Sequence, residues 1–293
     1  MVDFTRRGAI AGSAAALAIA PLARLGATAA GGFTHGVASG EPTAYSVLVW
    51  TRHVGGGAGA LLEWEVAEDP GFTRVLASGR VRALPGADWT ARATATGLPA
   101  DRWLHYRFRA PDGSHSPTGR SRTLPDGACT RFALALFSCS NLGFGWFNAM
   151  GHAAARDDID LAVHLGDYIY EYPHGIYPGP AAIVPGRDIA PDGATIALAD
   201  YRARYASYRR CPDLLALHAR LPVLAVWDDH EFADNARRDG AWNHDSASEG
   251  DWEARKAAAL KAWLDWMPVT RAGVWQDHRI GTLATLFSLE TRI

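Results

Sequence analysis

The chain has 293 residues, of which 48% are hydrophobic and 20% are charged, and its formal net charge is -2 at neutral pH. This composition excludes an intrinsically disordered polymer and a strongly basic surface, so no specific nucleic-acid binding is expected. The length favours two domains, because a single core rarely grows beyond about 250 residues.

Residues 1–30 are typical of a targeting segment. Arg6 and Arg7 precede an alanine-rich apolar run at 9–23, and Ala27–Ala29 offers a small-residue cleavage site. The run is too short and too weakly hydrophobic for a secure membrane span, so no stable span is expected after removal of the signal. The arginine pair resembles a twin-arginine export signal, although Ala9 stands where that signal usually carries Phe. We therefore expect a periplasmic or extracellular protein that uses the twin-arginine export machinery, with ordinary secretion and an uncleaved anchor as alternatives.

The three cysteines cannot all pair. Cys129, Cys139 and Cys211 allow one disulfide in an oxidising compartment, and the third thiol is then free or takes part in chemistry.

Residues 31–126 have the pattern of a small all-β domain. Val47–Thr51, Leu61–Val66 and Leu104–Phe108 are short runs rich in β-branched and aromatic residues, separated by Gly- and Pro-containing breaks. Such spacing predicts an immunoglobulin- or fibronectin-like β-sandwich. It carries no catalytic cluster, and a linker is expected around 123–127.

Residues 127–293 have the pattern of an α/β domain. The apolar run Phe132–Phe137, helix formers at Trp146–Arg156 and a buried strand at Asp160–Leu165 make a βαβ unit. The carboxyl ends of its parallel strands should meet at one rim. The Pro- and Gly-rich stretch 172–197 that follows is either a lid or a plain surface excursion. The later predicted elements are helices at Leu198–Arg209 and Pro212–Ala219, a strand at Pro222–Trp227, a long helix at Glu249–Trp266 and a last strand at Leu283–Leu289.

Two polar clusters follow predicted strands. HLGDYIYE at His164–Glu171 supplies Asp167 and Tyr170, and WDDHE at Trp227–Glu231 supplies a second set of oxygen ligands. Carboxylates and a phenol suit hard cations, whereas the thiol of Cys139 shifts the preference towards iron or another transition metal.

Each of these residues also has a purely structural interpretation. Cys139 alone is more often an inert buried thiol, Asp167 a turn cap, Tyr170 a core residue and His230 a structural histidine. Their convergence at three strand ends nevertheless favours a metal site. In that site Asp167 would bridge two ions that make a hydroxide nucleophile available, and His230, next to Asp229, would protonate a leaving oxygen. Hydrolysis of phosphate esters is the reaction that such a site serves best.

The motifs resemble those of the PhoD-like alkaline phosphatases of the calcineurin-like metallophosphatase superfamily. HGVASGEPTAYSVLVWTR at His35–Arg52 resembles the family's N-terminal β domain, and SCSN at Ser138–Asn141 resembles its first site loop. GDYIYE and WDDHE resemble the next two loops, and FSLETR at Phe287–Arg292 resembles the strand after the long helix. The resemblance implies an exported phosphoesterase that acts on phosphate mono- or diesters, either small molecules or polymers.

The resemblance also implies a site that holds Fe³⁺ and Ca²⁺. Carried onto this chain, Cys139 and Tyr170 would bind iron, Asp167 would bridge the two ions, and the calcium side would fall to Asp229 with Asp228. His230 stands where the superfamily has a catalytic histidine. The further candidate for a metal or substrate contact is Asn235.

Family members continue well beyond the position of Ile293, and their later loops complete the metal shell. The resemblance therefore implies a C-terminally shortened chain with an incomplete metallophosphatase sandwich. A half-built metal shell would bind metal weakly, so the activity of such a shortened chain is in question. One alternative is a non-catalytic remnant whose β domain binds a partner or surface polymer, and another is a different metal hydrolase.

Overall fold

The computed structural model describes residues 32–55, 57–270, 276–289 and 292. The targeting segment predicted at 1–30 lies outside the described residues. No helix in the described ranges is long and apolar enough to cross a bilayer. The three cysteines are free thiols.

The strands are β1 (Gly32–Gly40), β2 (Ser46–Val54), β3 (Ala60–Ala67), β4 (Val75–Ala83), β5 (Thr90–Thr96), β6 (Trp103–Arg109), β7 (Gly119–Arg122), β8 (Leu134–Phe137), β9 (Leu161–His164), β10 (Pro222–Ala225), β11 (Gln276–Ile280) and β12 (Ala284–Ser288). The helices are α1 (Asn148–Ala154), α2 (Leu198–Tyr208), α3 (Pro212–Arg220), α4 (Ser246–Glu249) and α5 (Trp252–Trp266).

Two sheets form the N-terminal half. An antiparallel sheet of order β4-β3-β6-β7 packs against β5, β2 and β1, which belong to a mixed sheet of order β5-β2-β1-β10-β9-β8. Alternation of side chains along each strand supplies the shared core, because every second residue points between the sheets. That core includes Val49 of β2, Leu62 of β3 and Phe108 of β6.

The mixed sheet continues across the predicted linker. The end of β1 pairs in parallel with β10, with Ser39 opposite Pro222 and Gly40 opposite Val223. The linker itself is anchored, since Leu124 N–H donates to the carbonyl of Thr43 at 2.9 Å. The β-sandwich and the α/β part therefore share one sheet.

Helices cover the outer face of β1 and β2. Trp50 of β2 is fully buried, and its indole N–H donates to the Asp265 carbonyl of α5 at 2.8 Å. Trp266 lies beside it, with ring centroids 6.0 Å apart. This aromatic core fixes the helices against the sheet whose other half carries the polar strand ends.

The strands β8, β9 and β10 run parallel, as the βαβ pattern predicted. Strand β8 is shorter than the apolar run Phe132–Phe137 and lies at one edge of the sheet. Leu134 and Leu136 are 38% and 60% exposed, so β8 is not the fully buried strand that its composition indicates.

The last described elements differ from the prediction. Helix α5 begins at Trp252 rather than Glu249, because the Asp251 carboxylate caps it by accepting from Ala254 N–H at 3.1 Å. The predicted strand at Leu283–Leu289 is β12, and it pairs antiparallel with β11, a strand that the polar sequence QDHRI did not reveal.

The stretch 172–197 contains one short 3-10 turn, Pro180–Ala182. The guanidinium of Arg204 in α2 is buried and donates to the carbonyls of Tyr172, Pro191 and Gly193, each at 3.0 Å. These bonds hold the stretch against the helices next to the polar strand ends.

Candidate active site

The loops that follow β8 and β9 are joined by backbone hydrogen bonds. Cys139 N–H donates to the Gly166 carbonyl at 3.1 Å, and Ser140 N–H donates to the Asp167 carbonyl at 2.8 Å. Cys139 and Asp167 both have left-handed backbones, with φ of 56° and 55°. Non-glycine residues rarely adopt this conformation, and their clustering at a functional site is a known pattern.

Gly166 allows the β9 loop to approach the β10 loop. Its φ is 108°, and a Cβ at this position would lie 2.6 Å from both the backbone nitrogen and the Cβ of Asp228. Only glycine fits this contact. The GD pair in HLGDYIYE therefore brings Asp167 close to the carboxylates of WDDHE.

Asp167 lies at the centre of the candidate site. Its Oδ2 accepts from the thiol of Cys139 at 3.4 Å and from the hydroxyl of Tyr170 at 3.3 Å. Its Oδ1 is buried and has no hydrogen-bond partner among the described residues. Ligand atoms of Asp167, Asp229 and His230 all lie within 4.8 Å of one another, which is a suitable geometry for a metal ion.

The ionisation of these groups favours a bound cation. Burial raises the pKa of Asp167, and the nearby charges of Asp229 and Asp228 raise it further, although His230 opposes them. Burial also raises the pKa of the Tyr170 phenol, and partial desolvation raises that of the Cys139 thiol, although Cys139 is an exposed residue rather than a buried one. A cation would relieve all three, since it stabilises the ionised forms that burial disfavours.

His230 is held in a fixed orientation. Its Nδ1 is 2.9 Å from Oε2 of the buried Glu171, and its ring stacks on Tyr170 with centroids 4.3 Å apart. Burial acts to lower the pKa of His230, but the hydrogen bond and charge of Glu171, helped by Asp167 and Asp229, raise it to about 9. Without a bound cation, this environment favours the charged imidazolium of His230, and its Nε2 is left for another partner.

Asp228, Asp229 and Asn235 lie beside this centre with different partners. The Asp228 carboxylate pairs with Arg292, whose guanidinium also reaches Asp229 Oδ1 at 3.2 Å. Asp229 Oδ2 accepts from the backbone N–H of Asn235, and the Asn235 amide donates to Asp234 at 2.8 Å. The structure thus brings Asn235 to the site through its backbone, with its side-chain nitrogen turned to Asp234.

Two buried glutamates were not assigned a role from the sequence. The Glu231 carboxylate accepts from the backbone N–H groups of Asp167 at 3.1 Å, Tyr168 at 2.6 Å and Asp228 at 2.8 Å. Glu171 accepts from Asp234 N–H at 2.7 Å besides binding His230. Each glutamate is the last residue of one motif and holds the loop of the other. The available signal in the sequence was the glutamate at the end of each motif.

Two buried histidines form a neutral hydrogen-bond network with residues of the site loops. Ser140 Oγ is 2.7 Å from His164 Nε2, and the Tyr168 hydroxyl is 2.8 Å from His218 Nε2. Burial lowers the pKa of His164 to about 3, and burial also places that of His218 well below its usual value. These histidines are neutral hydrogen-bonding groups that fix the first two loops.

The sheet, with its parallel strands and covering helices, has a metallophosphatase-like fold and continues into an N-terminal β region. Acidic, thiol, phenol and histidine side chains lie at the ends of its parallel strands. Residues 134–293 match the family described as PhoD-like phosphatase, and residues 19–125 match the PhoD-like phosphatase N-terminal domain. The chain belongs to the PhoD-like phosphatase family. The fold class and family resemblance predicted from the sequence are thereby confirmed.

Known proteins support this assignment. The chain is 33% identical to alkaline phosphatase D of Bacillus subtilis (strain 168) over 278 residues, which is 89% of this chain and 46% of that protein. A solved structure of PhoD superposes with a TM-score of 0.82 at 31% identity, covering 91% of this chain and 53% of the other. A purple acid phosphatase from yellow lupin shares the fold at a TM-score of 0.52 and 13% identity, covering 86% of this chain and 43% of the lupin chain. The chain thus spans about half the length of these relatives.

Proposed function

We propose that this chain carries part of the active site of an exported, metal-dependent phosphoesterase that hydrolyses phosphate mono- or diesters. The observation that carries the proposal is the convergence of Asp167, Asp229 and His230 within 4.8 Å at the ends of parallel strands. The relationship to alkaline phosphatase D supports the reaction class.

The donor set fits the cations that the family resemblance implies. Asp167 offers a buried oxygen that has no hydrogen-bond partner in the described part of the chain, and Cys139 and Tyr170 contact its other oxygen, so these three residues would hold Fe³⁺. Asp229 would hold Ca²⁺, with Asp228 available once its pairing with Arg292 opens. Bound cations would supply Lewis-acid polarisation of the phosphoryl group.

The remaining chemistry belongs to His230. Glu171 holds Nδ1 and maintains the charged imidazolium, so Nε2 is the nitrogen that delivers a proton to the leaving oxygen of the ester. Departure of a neutral alcohol is easier than departure of an alkoxide, which is the contribution we assign to this residue.

We infer a periplasmic or extracellular location, reached through the twin-arginine machinery, from Arg6 and Arg7 and the apolar run that follows them. Substrates in that location would be phosphate-ester small molecules or polymers.

The proposal is tested by hydrolysis of bis-p-nitrophenyl phosphate at alkaline pH with added calcium, with and without a chelator. We expect chelator-sensitive turnover that Asp167→Asn abolishes. The matched control is Asp157→Asn, because the Asp157 side chain is 82% exposed and lies outside the site. Turnover that survives in Asp167→Asn contradicts the site assignment, and a folded protein that neither hydrolyses the ester nor binds Ca²⁺ contradicts a metal-dependent site in this chain.

A further inference from the structure

A row of aromatic rings runs from His230 to the protein surface. Tyr170 stacks on His230, the Tyr177 ring lies 5.8 Å from Tyr170 and 5.3 Å from Tyr172, and Phe144 contacts Tyr177 edge-on at 5.0 Å. The rings of Tyr170, Tyr172, Tyr177 and Phe144 are called the aromatic wall below.

Exposure along the aromatic wall increases away from the reaction centre. Tyr170 is buried, whereas Tyr177 and Phe144 are 46% and 47% exposed. Large apolar side chains are normally removed from water, and two adjoining exposed rings beside a polar site are typical of a ligand contact.

The exposed end of the aromatic wall is held in place by both of its loops. The Asn141 side-chain amide donates to the Tyr177 carbonyl at 3.2 Å and accepts from Gly143 N–H at 3.0 Å. Val184 N–H donates to the Gly143 carbonyl at 3.0 Å, which joins the 172–197 stretch to the loop that carries Phe144. The rings therefore form a prearranged surface, so a ligand would lose little affinity in ordering them.

The aromatic wall begins at the place where the leaving group of a bound ester would lie. Tyr170 contacts both Asp167, where the phosphoryl group would bind, and His230, which would protonate the leaving oxygen. The organic group attached to that oxygen then lies beside His230, where the aromatic wall begins.

We propose that the aromatic wall is the leaving-group subsite and that it selects phosphate esters whose leaving group carries a planar aromatic ring. The inference rests on the proposed function. Offset and edge-on ring contacts with Tyr177 and Phe144 would stabilise such a group, and an alkyl leaving group would lack them.

The test compares two ligands that differ only in the ring. Benzylphosphonate and ethylphosphonate both place a methylene where an ester has its bridging oxygen, and their affinities are measured by calorimetry with calcium present. One or two favourable ring contacts predict that benzylphosphonate binds about threefold to tenfold tighter. Tyr177→Leu and Phe144→Leu each remove a ring while keeping an apolar side chain. Because Tyr177 is the exposed ring that contacts Tyr170, its replacement should bring the ratio towards one, with a smaller effect at Phe144, and neither variant should change ethylphosphonate binding.

The control variant is Ile176→Ala. Ile176 is exposed in the same stretch and should not alter the ratio. Equal affinities for the two phosphonates, or a ratio that Phe144→Leu and Tyr177→Leu both leave intact, would overturn the aromatic wall as a subsite. Inorganic phosphate is measured in parallel: if it binds, the phosphoryl site is supported whatever the ratio. If neither phosphate nor either phosphonate binds, both proposals fail.

Discussion

Replacement of Glu231 by glutamine should separate the geometry of the site from the stability of the fold. The Glu231 carboxylate is 1% exposed and accepts three backbone N–H groups, from Asp167, Tyr168 and Asp228. Glutamine has the same shape but one acceptor oxygen and one amide donor. At least one of the N–H groups must therefore face another donor.

Two effects of comparable size oppose each other in Glu231→Gln. Loss of a hydrogen bond to a charged acceptor costs about 1.5–3 kcal/mol. Against this, the substitution removes a buried charge at pH values above about 8, because burial raises the pKa of Glu231 to about 8 despite the N–H donors, and the measurements are therefore made near pH 9. We therefore expect the free energy of unfolding to change by no more than about 1–2 kcal/mol.

The site should be affected much more strongly than the fold. Glu231 holds the backbone N–H groups of Asp167 and of Asp228, and Asp228 lies next to the calcium candidate Asp229. Loss of such supporting contacts typically lowers metal affinity about 10- to 100-fold. Calorimetric titration with Ca²⁺ measures the affinity, and chemical denaturation measures the stability.

Two further variants serve as a strongly destabilised comparison and a neutral control. Glu231→Ala leaves three N–H groups without an acceptor, each costing about 1–3 kcal/mol, and should destabilise the fold severely. Glu63→Gln changes an exposed ion pair on β3 and should alter neither quantity. Wild-type calcium affinity in Glu231→Gln would refute the reasoning, as would destabilisation equal to that of Glu231→Ala.

Three other outcomes are expected. Glu171→Gln should lower the pKa of His230 from about 9, as measured by NMR titration. The raised pKa of His230 stabilises the fold fully below about pH 6.5, and this contribution is lost as the pH rises through 9. The stability deficit of Glu171→Gln should therefore be larger at pH 6 than near pH 10, where altered contacts such as that with Asp234 N–H remain. Equal deficits at the two pH values would contradict the assignment. Gly40→Ala places a Cβ 2.2 Å from the Pro268 carbonyl oxygen and should lower the free energy of unfolding by at least about 1–3 kcal/mol, whereas a neutral effect in denaturant titration would argue against the close approach of Pro268 to β1. Trp50→Ala should cost about 3–5 kcal/mol in the same assay, and a loss below about 1 kcal/mol would show that the core repacks freely.

The sequence predicted the buried parallel strand next to the candidate site well. The continuous apolar run at Leu161–Val163 followed by GD is typical of a buried parallel strand, and β9 is buried at every position. Strand β11 was missed because QDHRI is polar, and its formation depends on pairing with β12 rather than on its own composition. The pairing of β1 with β10 left no local signal either, since it joins two distant segments.

The candidate site residues were easier to recognise in the sequence than the residues that hold them in place. Asp167, Asp229 and His230 could be found because acidic and histidine residues after apolar runs are visible in the sequence. The role of Glu231 could not be found in this way, because its three N–H donors converge only when two loops approach each other in space. The same is true of Arg292, which meets Asp228 across a large sequence separation.

The junction of β1 with β10 also bears on how the chain reaches its folded state. Ser39 leaves the ribosome long before its partner Pro222, so β1 has β2 as its only sheet neighbour in the described residues until β10 is made. Pairings between such distant residues form slowly, because a long loop must close before the contact stabilises anything. The free edge of β1 is therefore open to other chains during synthesis, and the rate at which β10 arrives limits that exposure.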